Sequence, residues 1–242
     1  MPAPYPLQGH VRSVRNYDYT LGIDSTMSRN MAAAHNVFIQ GINAAVAHAP
    51  HITEEKVQPF MVFCLTVFDV IHHHHTVEET FYFPTMEKKL GAGSLSSNVE
   101  EHASFVPQLE ATAQWLRDVQ AGKEKYDAQV FIAKINSFGD LMYDHLVHEL
   151  PTLESSKISA VFTESELKTI DKEFQKIVFA GIDFHTTLPM TIVCANPATP
   201  WFPPIPAPAK WAARWWFSRK HSAAWQFGPL DFSGNVRKQP GA

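Results

Sequence analysis

Cysteine is nearly absent from this chain: its 242 residues include two, Cys64 and Cys194. Two such thiols make neither a metal-ligand pair nor a disulfide framework, so the sequence reads as an intracellular protein with reduced cysteines. A long hydrophobic run is also missing. No stretch reaches the roughly eighteen uninterrupted apolar residues that a membrane span needs. The amino terminus, MPAPYPLQGHVRSVR, places prolines where a secretory signal requires an apolar segment, and a cytoplasmic location is expected. Positive charge is not in excess, with 20 Lys and Arg against 24 Asp and Glu and a formal charge of −4. The basic face that nucleic acid demands is therefore not signalled, and no nucleic-acid partner is expected. Internal repeats are lacking, as is low complexity outside one proline-rich segment.

What is present is an ordinary globular composition, 45% apolar and 12% aromatic with 18% charged residues. A chain of this length can bury a sizeable core. Thirteen histidines are more than usual, and four stand consecutively in IHHHHTVEETFYFP, residues 71–84. Apolar residues recur at three and four spacing in four long segments, the mark of amphipathic helices. These run from about Ser25 to His48, from Thr53 to Leu90, from Ser94 to Ala121, and from Asp127 to Ser155. Thr53 is a plausible N-cap for the second, and Gly91 and Gly122 can end the second and third. The short links predict an all-α fold, an antiparallel up-down four-helix bundle. A fifth helix is predicted over Glu164 to Ala180, capped by Thr163. Beyond Cys194 the segment ANPATPWFPPIPAPAK holds six prolines and cannot be regular helix or central strand. WAARWWFSRK is predicted as one short helix and the last dozen residues as loop. The expected organisation is an amino-terminal extension over 1–24, a bundle with its added helix over 25–182, and a Pro/Trp-rich extension over 183–242 packed on the bundle.

Helical projection identifies which histidines face inward. At 100° per residue, Cys64, Phe68, Ile71, Tyr82 and Met86 fall within about 40° of His75, and Glu79 lies one turn further along the same stripe. His73 points the opposite way, among Asp69, Thr76 and Thr80, while His72 and His74 flank the stripe. The fourth helix repeats the pattern, with His145 and Glu149 extending a face of Phe131, Phe138, Leu141 and Met142. His35 shares a face with Met31, Ile39, Ile42 and Val46, and His102 with Leu95, Val99, Val106 and Leu109. A lone core histidine is commonly satisfied by one hydrogen bond. Two buried carboxylates among four imidazoles are different, because each unpaired buried charge costs several kcal/mol. Multivalent cations resolve this by neutralising the carboxylates and taking the imidazoles as ligands. Six inward donors exceed one tetrahedral zinc and fit a carboxylate-bridged pair of metals.

These residues resemble the haemerythrin-like (HHE cation-binding) domain, and most closely its fungal branch. The resemblance rests on His35 in AAAHNVFIQGI, HTVEETFYFP at 75–84, EEHASF around His102 and DHLVHELPTL around His145, with a looser likeness in the tail WQFGPLDFSG. It covers roughly residues 25–155 and implies an oxo- or hydroxo-bridged di-iron centre, with zinc or manganese as possible substitutes. Carried over by residue, it makes His35, His75, Glu79, His102, His145 and Glu149 the ligands. The oxygen carriers of the family have a second histidine one turn after the third-helix ligand, where this chain has Val106, and their fourth-helix carboxylate is an aspartate spaced one residue further on. Reversible oxygen carriage is therefore not implied. The missing ligand leaves an open position, an added water, or a role for Glu78, His74 or His148. Pro107 interrupts the hydrogen bonding of the third helix just beyond His102.

The function this implies is binding of dioxygen, or of nitric oxide or peroxide, for sensing, storage or detoxification, in a pocket walled by Phe68, Ile71, Leu141 and Met142. Tyr82 and Met86 are candidates for the same pocket or for support behind the ligands, with core packing the expected role of each. A binding protein is expected rather than an enzyme. Two alternatives remain: a carboxylate-bridged di-iron oxidase or peroxidase, and a helical interaction module with a structural metal and a tail that docks to a peptide groove or a membrane. The tail's aromatics are expected to fold back over the bundle instead of contacting membrane.

Overall fold

The computed structural model describes Tyr5, residues 23–153 and residues 155–240; most of the expected amino-terminal extension lies outside these. The regular structure among the described residues is helical, without a β-strand; one lone antiparallel bridge joins Leu230 and Val236. Helix α1 spans Ile23–His48, α2 Val57–Val77, α3 Phe83–Leu90, α4 Ser96–Gln120, α5 Ala128–Asn136, α6 Gly139–Thr152, α7 Ser155–Ile158, α8 Glu164–Ala180, α9 Thr187–Val193 and α10 Ala207–Trp215. None of the described helices is long and apolar enough to cross a membrane.

Several ends form as their sequences dictate. Thr163 and Glu166 make a reciprocal capping box at α8, each accepting from the other's backbone N–H. Asp127 caps α5 by accepting from the N–H groups of Gln129 and Val130. Gly91 and Gly122 end their helices with φ of 104° and 71°, values that a side chain disfavours. Other ends depart from expectation. Thr53 begins a 3₁₀ turn, Glu54–Lys56, and its hydroxyl bonds to Glu55 instead of a backbone N–H. The segment expected as one helix from Thr53 to Leu90 is α2 and α3 joined by a wider π turn at Glu78–Tyr82. The predicted fourth helix is broken at Ser137–Phe138 into α5 and α6, which lets Phe138 turn fully into the core.

Helix α2 is the central element, packed against α1, α4, α8 and α9, while α6 closes on both α1 and α4. Its apolar face carries Phe60, Phe63 and Phe68, all buried with Phe105, Phe131 and Phe138 from neighbouring helices. Each such side chain contributes roughly 1.5–3 kcal/mol by leaving water. The tail behaves in two ways. Trp225 and Phe227 belong to the same core, with the Phe227 ring edge-on to Phe60 at 5.1 Å and to His48 at 5.2 Å. Trp211, Trp215 and Trp216 stand 66%, 48% and 67% exposed, so the expectation that all the tail aromatics fold back is corrected for these three. Helix α10, which carries Trp211 and Trp215 and is followed directly by Trp216, packs mainly on α9 and on the 3₁₀ turn after it.

Candidate metal centre

Two adjacent histidines, His74 and His75, sit at the last turn of α2 and both are buried. Glu78 follows one turn later and is fully buried at the start of the π turn. Helix α1 brings His35 to the same level, α4 brings His102, and α6 brings His145 and Glu149, all with no more than 1% of their surface exposed. The seven side chains meet in two groups with one member in common. His75, Glu78, His102 and His145 form the first, and His35, His74, Glu78 and Glu149 the second. Within each group the ligand-type atoms lie within 4.8 Å of one another.

The spacings test whether a cation fits. His102 Nε2 and His145 Nε2 face each other at 2.9 Å, His74 Nε2 lies 2.9 Å from a Glu78 oxygen, and His35 Nε2 lies 3.2 Å from a Glu149 oxygen. Donors about 2.1 Å from one ion and at right angles around it stand about 3 Å apart. Apart from the His102–His145 pair, these atoms are near without being aligned for hydrogen bonding. His35 Nε2, His74 Nε2, both nitrogens of His75, and both oxygens of Glu78 and of Glu149 have no hydrogen-bond partner. Orphaned buried carboxylates are costly unless a positive charge sits among them, so this donor set fits cations.

The far sides of the rings are held. His102 Nδ1 donates to Glu79 at 2.8 Å, His145 Nδ1 to Glu101 at 3.0 Å, and His35 Nδ1 to the Leu146 carbonyl at 3.2 Å. Each bond keeps the proton on Nδ1 and leaves the Nε2 lone pair facing inward. Electrostatics favour the same protonation. Burial, reinforced by neighbouring histidines, pushes His74 and His75 well below the ordinary imidazole range. Burial takes His145 down to about 4 despite the opposing pull of Glu149. Glu78 is raised, first by burial and then by the charge of Glu149. Burial acts upward on Glu149 too, but the His35 contact and charge hold it below the usual carboxylate range. Imidazole nitrogens turned inward around two buried carboxylates are a ready ligand set, and a cation binding there competes with protons for the same atoms.

Of the residues expected from sequence, His35, His75, His102, His145 and Glu149 come together here, joined by Glu78 and His74 from the additional candidates. Glu79 does not; it is 41% exposed and touches the group through His102 Nδ1, so its placement at the centre of the inward face is corrected. The physical reason is the choice of axis. Measured from the midpoint of His74 and His75, Glu78 lies within about 10° and Glu79 about 90° away. His148 is 63% exposed and bonds to Glu101. Leu141 is 46% exposed and forms no inner wall, and Val99, 40% exposed, does not share the inward face of His102. Phe68, Ile71, Tyr82, Met86 and Met142 are buried. Phe83, which α-helical phase would turn outward, is turned in by the π turn to 5.8 Å from His102. Glu101 was not legible, because its link to His145 spans two helices and no local spacing signals it.

Residues 26–149 match the family model for the hemerythrin HHE cation binding domain, half of the chain, and the chain belongs to that family. It is a hemerythrin-like metal-binding protein. It is also similar to the "Dimeric xanthone biosynthesis cluster protein R11" of Cryptosporiopsis sp. (strain 8999), 28% identical over 218 residues that cover 88% of this chain and 81% of that one. The relative is fungal, in keeping with the branch the motifs resemble. No solved structure matches.

Glu101 holds both His145 and the exposed His148. Glu101→Ala is expected to weaken metal affinity about 10–100-fold by freeing the His145 ring, while His148→Ala leaves it nearly unchanged. Competition against a chromophoric chelator measures both, and equal effects would refute the orienting role of Glu101.

Proposed function

We propose that this chain holds two iron ions, to both of which Glu78 would be available as a ligand, and binds dioxygen, or a related small oxidant such as nitric oxide or peroxide, for sensing, storage or detoxification. The observation that supports this most is Glu78 itself. Its two oxygens are buried without hydrogen-bond partners, and it is common to both donor groups. His75, His102 and His145 would hold one ion, and His35, His74 and Glu149 the other. Four protein donors to each ion leave room for a small ligand if the metal prefers octahedral geometry, as iron does more readily than zinc. Ferrous iron supplies the electrons that such an oxidant takes up. The protein's part is to fix the imidazoles in one tautomer and to exclude water. Phe105 lies 5.1 Å from the His75 ring and Phe38 4.9 Å from His74, so the centre is walled by aromatics.

A second reading, an oxidase or peroxidase acting on an organic reductant, is favoured by one feature. A cavity of about 360 Å³ lined by Glu79, Phe83, Pro84, Val99 and Glu100 adjoins the centre, separated from it by the Glu79–His102 pair. A relative named for dimeric xanthone biosynthesis agrees with chemistry on an organic compound.

The test is metal analysis of protein purified without a histidine tag or nickel resin, followed by anaerobic reduction and admission of air. Iron near two per chain and a charge-transfer band that grows with oxygen are expected. Zinc as the bound metal would sink the iron assignment, and a two-iron preparation indifferent to oxygen would sink dioxygen binding. Steady turnover of an added reductant, abolished by His75→Ala, would select the second reading.

A further inference from the structure

No aspartate or glutamate stands between Asp183 and Asp231, although the chain as a whole is acidic. The cations of that stretch are Lys210, Arg214, Arg219 and Lys220, all exposed and all within α10 or the 3₁₀ turn Phe217–His221 that follows it. Interleaved with them are the exposed Trp211, Trp215 and Trp216, and Phe184, 55% exposed, lies tilted against Phe217 at 5.3 Å between ring centroids. Arg214 lies over the Trp215 ring at 4.9 Å. Among the described residues Asp183 borders the patch, near His185 and His221, and one carboxylate does not offset four cations. Three neighbouring tryptophans left in water are unusual on a protein that buries Trp225 completely, and such a patch marks a binding surface.

We propose that α10 and the turn after it dock this protein on an anionic lipid surface, with the indole rings at the headgroup level and the four cations against lipid phosphate and carboxylate groups. Indole is the side chain most at home in that interfacial layer, amphipathic and large. Lys and Arg beside it gain from the negative potential of the leaflet, about fivefold in affinity for each cation. A second copy of the chain is disfavoured by charge, because two such patches face to face would set four cations against four. A protein partner would need about 800 Å² of contact, more than a nine-residue helix offers alone.

Flotation of the full-length, metal-loaded protein with vesicles tests this. Wild-type protein is expected to float with phosphatidylcholine–phosphatidylserine vesicles, to stay behind with phosphatidylcholine alone, and to release as salt is raised. Trp211→Ser combined with Trp216→Ser should weaken binding at least about tenfold, and Lys210→Glu with Arg214→Glu should abolish it. An unchanged melting temperature and metal content would show that these exposed substitutions leave the fold intact. Absence of flotation at low salt, binding that survives both pairs of substitutions, or a wild-type dimer that the tryptophan pair dissociates would each overturn the proposal, the last by assigning the patch to a protein partner.

Discussion

Glu78→Gln is expected to reduce bound metal from roughly two ions per chain to less than one, whereas Glu79→Gln keeps the stoichiometry near two. The contrast follows from position. Glu78 is shared by both donor groups and is fully buried, so one substitution removes a ligand and a negative charge from each side at once. A neutral amide cannot offset two divalent cations in a dry interior, where breaking a buried ionic arrangement by removing one partner costs about 3–5 kcal/mol. Glu79 only accepts a hydrogen bond from His102 Nδ1, which a glutamine oxygen can also do. Stability should report the same difference. Ligand present at about a thousand times its dissociation constant stabilises a fold by about 4 kcal/mol, so wild-type protein should melt lower after chelation while Glu78→Gln melts alike with and without chelator. Elemental analysis and thermal melts measure both. If Glu79→Gln loses the metal and Glu78→Gln retains it, the carboxylate bridge has been misassigned.

That pair of glutamates also shows how much the sequence discloses. Three-and-four periodicity located the long helices, and four of the inward histidines, together with Glu149, could be projected onto their faces, because a straight α-helix keeps its phase over several turns. The histidine run was harder. Adjacent residues lie 100° apart, so two neighbouring ligands define a face centred between them, and a stripe centred on His75 alone shifts the apparent middle toward Glu79. The π turn then delays the phase downstream, which brings Phe83 inward, and no propensity in EETFY announces it. Ligand orientation was invisible for another reason: Glu101 and the Leu146 carbonyl act across helices, and only packing brings them to His145 and His35. His74, on a neighbouring helix, brings an imidazole into the second donor group, whereas the turn after His102 carries Val106.

Trp225→Ala is expected to lower stability by about 3–5 kcal/mol, the range for emptying a buried aromatic site. Trp225 is 1% exposed, its indole N–H donates to the Ser218 carbonyl at 3.0 Å, and Arg237 donates to its carbonyl at 2.5 Å. Arg237, within the last dozen residues expected as loop, is thus tied to the core, and the backbone N–H of Leu230 donates to the Val193 carbonyl at 2.9 Å. For a chain of this size about 2–4 °C of melting temperature accompanies each kcal/mol, so a drop of about 10 °C is expected. Trp211→Ala, at a side chain 66% exposed, should shift the melt by no more than about 0.5 kcal/mol. Metal content should be unchanged by either, because the tail packs at the Phe60 end of α2, fifteen residues and ~22 Å along the helix from His75. Circular dichroism melts of metal-loaded protein compare the two. Equal melting of both variants would mean that the tail unfolds independently and that the core is complete without it; a large loss at Trp225 alone means that the bundle needs its carboxy-terminal plug to stay folded around the metal site.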